Sequence, residues 1–201
     1  MNNEILIQAE FSRDVNAITH PAPHDADDVF GTAILAILQP VILFRTDNPE
    51  IIDAATNAII YDIGGEFDPG KKRFDHHQRS FSEARPDGTL YASAGLLWRE
   101  FGEAVVEHIY NGKIDDAILA RIVSRVDITL MRGIDASDNE QGGTEASIAS
   151  VIASFNAIHG RGESADSCFL RACEIAGAIL RREVEVAILV EQGWFFHRDG
   201  K

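Results

Sequence analysis

The sequence predicts an α/β fold: a mainly parallel sheet flanked by helices, with a helical C-terminal part. Three observations carry that expectation. β-rich runs at residues 15–19, 41–46 and 58–63 alternate with helical patterns through the first third of the chain. A single turn signal, Asp68-Pro69-Gly70, interrupts the alternation. From residue 93 onward the apolar spacing is helical almost to the end.

The first run ends at Thr19-His20, and Pro21 and Pro23 stiffen the approach to a helix over 28–38. That helix carries Val29, Phe30, Ala33, Ile34, Ile37 and Leu38 at helical spacing. Asn48-Pro49-Glu50 before Ile51-Ile52 supplies the cap, first-turn proline and acidic residue of a helix start. Strands joined by helices of this length form a parallel sheet with right-handed crossovers, whose carboxyl-end loops bind ligands. Asp68-Pro69-Gly70 lies between 59–63 and 72–75 and predicts a hairpin that folds residues 75–77 back beside Asp62. Helices are expected over 93–110, 114–126, 144–158 and 165–190. The polar segment 127–143, with Asp135, Asp138 and Asn139, is expected as a loop.

Composition narrows the function. The 201 residues are 45% hydrophobic with a formal net charge of −14, which fits a compact globular chain and excludes disorder, collagen and coiled coil. Thirty-two acidic against 18 basic residues offer no broad cationic face for a long polyanion. No run reaches the roughly 18 apolar residues of a membrane span and no signal peptide opens the chain, so a cytoplasmic protein without a membrane partner is expected. Cys168 and Cys173 lie about 140° apart on one helical stretch and are expected reduced and packed.

Four of the seven histidines fall in two aspartate-rich clusters. His20, His24, Asp25, Asp27 and Asp28 occupy the first strand-to-helix loop. Asp62 ends the third run, and Asp75-His76-His77 follow the turn. So many acids and imidazoles together need compensating cations, and a mixed nitrogen and oxygen donor set suits Mn, Fe, Co or Zn. Taken alone, Asp27-Asp28 would equally serve as helix cap and first-turn acid. Consecutive histidines in an extended chain point to different sides, so one can meet metal while the next faces substrate.

Thr19-His20 through Asp27-Asp28, Tyr61-Asp62-Ile63-Gly64-Gly65 through Phe67-Asp68-Pro69, Arg73 through Phe81 with Asp75-His76-His77-Gln78-Arg79, and Leu90 to Leu97 with Ser93-Ala94-Gly95 resemble the MYG hydrolase family of the DHH phosphoesterase superfamily. The likeness runs from about residue 15 to about residue 190, in order. It departs at Asp25, which stands where the family pattern has histidine, with His24 displaced by one. The family's later motif, an aspartate closing a helix with Asp-Asn three residues on, is split. Asp127 closes the helix, while Asp135-Ala136-Ser137-Asp138-Asn139 carries the wording.

The resemblance implies a DHH-type phosphoesterase domain, with 1–143 as the metal-site part and 144–201 as a helical extension. It implies two divalent cations, manganese first. His20 and Asp25 would hold one, Asp27, His76 and Asp127 (or Asp135) the other, and Asp62 would bridge them. His77 would face the phosphate, Arg79 would clamp it, and Asp75 would orient a ligand histidine. The Ser93-Ala94-Gly95 helix start would receive an anion or allow close packing. The substrate would be a phosphate ester, short RNA or DNA included. The usual second wall of the cleft would be missing or come from another chain, as in a homo-oligomer. A small-molecule phosphatase or pyrophosphatase, and a catalytically idle metal-binding or assembly protein, remain alternatives.

Overall fold

The computed structural model describes residues 3–142 and 147–193. They form the expected α/β architecture around a six-stranded sheet ordered β1-β3-β2-β4-β6-β5. The strands are β1 (Ile5–Ile7), β2 (Ala17–Thr19), β3 (Val41–Arg45), β4 (Ile59–Tyr61), β5 (Phe67–Asp68) and β6 (Arg73–Phe74). All neighbours pair in parallel except the antiparallel β5 and β6.

Two strand expectations need correction. β1, outside the three predicted β-rich runs, adds an edge strand beside β3. The turn at Asp68-Pro69-Gly70 joins β5 to β6 rather than 59–63 to 72–75, and β6 lies parallel to β4, with Ile60 opposite Arg73. Asp75 nevertheless arrives beside Asp62, because the Asp62 amide donates to the Phe74 carbonyl at 3.3 Å.

The helices are α1 (Ala26–Leu38), α2 (Pro49–Ala54), α3 (Ser93–Tyr110), α4 (Asp116–Val126), α5 (Arg132–Asp138), α6 (Ile148–Ala153) and α7 (Ala165–Glu191). α1 packs against α3 and α7 and is buried at every position from Ala26 to Ile37. A helix enclosed on all sides can be largely apolar all round, and past its first turn this one has Thr32 as its only polar residue. On the strands the alternation of side chains splits the core. Ala17, Leu43, Ile59 and Tyr61 join the large cluster with α1 and α3, while Ile18 and Ile60 face a smaller one with Ile52 of α2. Cys168 and Cys173 are free and buried, as expected.

The segment expected as a loop after residue 126 is helical. Residues Asp127–Met131 form one wide π-helical turn that runs from α4 into α5. Val126, Leu130, Met131 and Ile134 recur at helical spacing and are buried, a signal that the surrounding acids mask. The predicted helix over 144–158 is observed only as α6; residues 143–146 lie outside the described set, as do Trp194, Phe195, Phe196 and His197.

α5 packs against the start of α3 at Gly95, whose amide donates to Asp135 Oδ1 at 3.0 Å. A Cβ at residue 95 would run into that fully buried carboxylate. Gly95→Ala is therefore expected to lower the unfolding free energy by about 1–3 kcal/mol, the usual cost of overpacking, as measured by urea denaturation. An unchanged midpoint would contradict this packing.

Candidate metal centre

The acidic and imidazole side chains gather at the carboxyl ends of β2, β4 and β6, adjacent strands of one sheet. The chain leaves β2 toward β3 on one side and returns to β4 on the other. That reversal opens the crevice in which α/β proteins bind ligands.

His20 follows β2 directly. Its Nδ1 lies 2.7 Å from the Pro21 carbonyl, which makes Nδ1 the donor, so that whenever the ring is neutral Nε2 is the atom with the free lone pair. Nε2 is 3.3 Å from Asp28 Oδ2, 3.3 Å from Asp62 Oδ2 and 4.0 Å from Asp25 Oδ2. Asp25 caps α1, accepting from the Asp27 amide at 2.7 Å, while Asp28 Oδ1 takes the Asp25 amide at 3.0 Å. Helix cap and candidate ligand are thus one residue, since the cap uses Oδ1 and the metal cluster faces Oδ2. His20, Asp25 and Asp62 place one donor atom each within 4.8 Å of one another.

A second group combines Asp27, His76 and Asp138 on the same criterion. His76 Nε2 lies 3.2 Å from Asp138 Oδ2, 3.8 Å from Asp27 Oδ2 and 3.7 Å from Asp62 Oδ1. Asp62 faces both groups, one oxygen toward each, from a left-handed backbone (φ 57°) at the end of β4. A non-glycine residue in that region stores strain, which the Ser93 hydroxyl and Phe74 carbonyl offset by accepting from the Asp62 amide.

The amides at the start of α3, expected to receive an anion or allow close packing, hold carboxylates of this chain. Ser93 and Ala94 donate to Asp27 at 2.8 and 2.6 Å. The helix has no side-chain cap of its own, so Asp27 both caps it and is fixed by it.

Asp75 is saturated by hydrogen bonds from the amides of Gly65, His76 and His77, and His77 Nδ1 lies 2.7 Å from its Oδ1. The His77 ring is 60% exposed. Arg79 is exposed and makes no hydrogen bond or ion pair with the described residues.

Neither candidate for the last ligand position joins these groups. Asp127 forms a bidentate pair with Arg85 at 2.6 and 2.8 Å, and Asp135 Oδ2 meets the same guanidinium at 2.7 Å. The residue that reaches His76 is Asp138, which the motif's own wording contains as the aspartate before Asn139. His24 is buried with its ring edge-on to Phe169, its backbone tied to Asn156. Arg45 is neither solvated nor a surface cation: it stacks on Phe169 at 4.2 Å and its Nε donates to the His20 carbonyl. His108 and His159 are exposed.

Electrostatics distinguish the members. Burial opposes a charge on His20, yet Asp62 and Asp28 overcome it and hold the pKa up at about 9. Burial would raise Asp62, but His20 and His76 drive it below the usual carboxylate range. Burial lifts Asp138 to about 6 against the pull of His76, and lifts Asp27 well above its ordinary value. The Asp75 hydrogen bond raises His77 to about 9. Asp62 Oδ2 and His76 Nε2 are buried and, beyond the ion pairs within the cluster, make no hydrogen bond. Divalent cations fit this donor set: they would satisfy both atoms and neutralise acids that now depend on protonated histidines.

Without metal, the raised His20 and His77 contribute stability that is complete below their unfolded value near 6.5 and is lost as pH rises toward about 9. The melting temperature of chelator-treated protein should fall over that window, and manganese should flatten the fall because metal binding needs deprotonated ligands. A melting temperature that rises between pH 6.5 and 9 after chelation would contradict these assignments.

A family model described as MYG1_exonuc, Uncharacterised protein family (UPF0160), matches residues 16–194. The chain is 30% identical over 131 residues to the MYG1 exonuclease of Homo sapiens, covering 60% of this chain and 34% of that protein. It is 29% identical over 194 residues to a MYG1 protein of Schizosaccharomyces pombe, covering 85% of this chain and 58% of the relative. A Saccharomyces cerevisiae MYG1 protein is 28% identical over 202 residues, 89% of this chain and 59% of the relative. The chain thus spans between about a third and three fifths of these relatives' length. No solved structure gives a significant match. With its motifs in order and 16–194 matched, the chain belongs to the MYG1 family.

Proposed function

We propose that the chain is a two-metal phosphoesterase of the DHH type that hydrolyses phosphodiester bonds in short nucleic acids. One observation carries the reading: two groups of three metal-type ligands, His20/Asp25/Asp62 and Asp27/His76/Asp138, meet at Asp62, whose two oxygens face one group each, and buried atoms there make no hydrogen bond. The human relative's name, MYG1 exonuclease, supports the substrate class. Residues 3–142 supply all six ligands, and the later helices extend the same domain.

His20 and Asp25 would hold one cation, Asp27, His76 and Asp138 the other, with Asp62 between them. The mixed imidazole and carboxylate set favours manganese among the divalent ions. Such a pair supplies Lewis-acid neutralisation of a phosphoryl group and activation of water at neutral pH. The protein residues do the rest. Asp75 fixes the His77 ring and keeps it protonated at neutral pH, so that His77 donates a hydrogen bond to the phosphate or a proton to the leaving oxygen. Asp75 itself is spent on orientation, because its oxygens already accept from three amides and His77. Arg79, exposed two positions beyond His77, is the cation assigned to the arriving phosphate. Among the described residues, the clefts flanking the ligands are lined by acids, glycines and serines such as Gly64, Gly65, Ser137 and Ser150, and by no lysine or arginine. Substrate attraction then depends on the cations, which suits a short substrate better than a long polyanion.

That same lining favours a second reading, hydrolysis of a small phosphate compound such as pyrophosphate. Purified protein with manganese, offered a short oligonucleotide, bis-p-nitrophenyl phosphate and pyrophosphate, separates them. Release of mononucleotides supports the first reading, and turnover of pyrophosphate alone supports the second. Two bound equivalents of metal with no turnover of any would show an idle metal-binding protein. Asp62→Asn and Asp138→Asn should each lower turnover by roughly a hundredfold or more, since even outer partners of ligands are worth about 10–100-fold. Full activity in Asp62→Asn would sink the shared-ligand assignment.

A further inference from the structure

Arg85 takes no part in the chemistry proposed above, yet all three of its guanidinium nitrogens are engaged by carboxylates. Its side chain is 4% exposed. The guanidinium forms a two-pronged pair with Asp127, meets Asp135 Oδ2 through a third nitrogen, and stacks on the Tyr91 ring at 4.0 Å. Asp127 and Asp135 are eight residues apart, which on an uninterrupted α-helix leaves them about 80° out of phase. The wide turn at Asp127–Met131 advances less per residue and lets both reach one cation.

The connections continue to the metal ligands. Asp135 Oδ1 accepts from the Gly95 amide, next to the Ser93 and Ala94 amides that hold Asp27. Asp138 sits one turn beyond Asp135 on α5. The following Asn139 donates to the Tyr91 carbonyl at 3.3 Å, so the residue under Arg85 also ties down the end of that helix. Both carboxylates of the second group, Asp27 and Asp138, are thereby referenced to the first amides of α3, one directly and one through α5. The first group draws its own ligands, His20 and Asp25, from the β2–α1 loop, which Arg45 rather than Arg85 braces.

We infer that Arg85, with Asp127 and Asp135, is a positioning clamp for the Asp27/His76/Asp138 half of the centre, setting the affinity of one cation and leaving the other unaffected. The inference rests on the two-metal reading. Wedging open the junction of α4, α5 and α3 would move Asp138 away from His76 without touching the His20 loop.

Manganese binding to the full chain, followed by calorimetry and by elemental analysis after gel filtration, tests it. Wild-type protein should take two equivalents. Arg85→Gln should keep the first within about twofold and weaken the second roughly 10–100-fold, the range seen for groups that orient ligands. Arg85→Lys, which cannot form the two-pronged pair while reaching Asp135, should fall between. Because losing the guanidinium leaves Asp135 buried without a countercharge, Asp127→Asn serves as the milder variant if Arg85→Gln does not fold. It should weaken the second equivalent selectively, by about threefold or more. Both equivalents at wild-type affinity, or both weakened alike, in the folded variant would overturn the clamp. Wild-type protein that takes only one equivalent would overturn the two-metal reading instead.

Discussion

Asp27, Asp28, Asp62, Asp75 and Asp135 are all buried at or beside one end of the sheet, and Asp138 is nearly so. Transferring so many carboxylates out of water is unfavourable unless each finds donors or a countercharge. Most of the local architecture is the answer to that constraint. Asp75 takes three amides and a histidine, Asp27 takes the first two amides of α3, and Asp135 takes Gly95 and Arg85. What is left over is confined to the crevice between β2, β4 and β6, where His20 and His76 face Asp62. Asp28 Oδ2, Asp62 Oδ2 and His76 Nε2 are buried there without a hydrogen bond and face groups of the cluster itself, an arrangement that fits cations between them.

The same constraint explains why helix caps and ligands coincide. Asp25 caps α1 with one oxygen and turns the other toward His20, while Asp27 caps α3, a helix more than sixty residues away in sequence. A carboxylate held by helix amides keeps its orientation whether or not metal is bound. This places the candidate metal centre on the ends of secondary structure, with Asp62 the one member in a left-handed backbone conformation, at φ 57°.

Much of this was legible in the residues. The strand-to-helix alternation yields the parallel sheet, and the two aspartate-histidine clusters mark the strand ends, because both signals are local. The misses have long-range causes. Asp27 fills the helix start at Ser93-Ala94, a contact no local pattern announces. Asp127 and Asp135 match the family wording as well as Asp138 does, and it is Arg85, more than forty residues upstream, that pairs with both of them. The helical nature of 127–138 was recoverable from the spacing of Val126, Leu130 and Ile134, but the acids of that segment gave it the composition of a loop. The hairpin was correctly located at Asp68-Pro69-Gly70 and wrongly paired, since turn chemistry fixes where a chain reverses and not which strand it joins.

The central claim, that one shared aspartate organises two cation positions, is tested most directly by crystals grown with manganese and measured at the manganese absorption edge. The account predicts two anomalous peaks roughly 3.5–4 Å apart. One should lie among His20, Asp25 and Asp62, the other among Asp62, Asp27, His76 and Asp138. A single peak, or a peak ligated by Asp127 or Asp135 in place of Asp138, would contradict it.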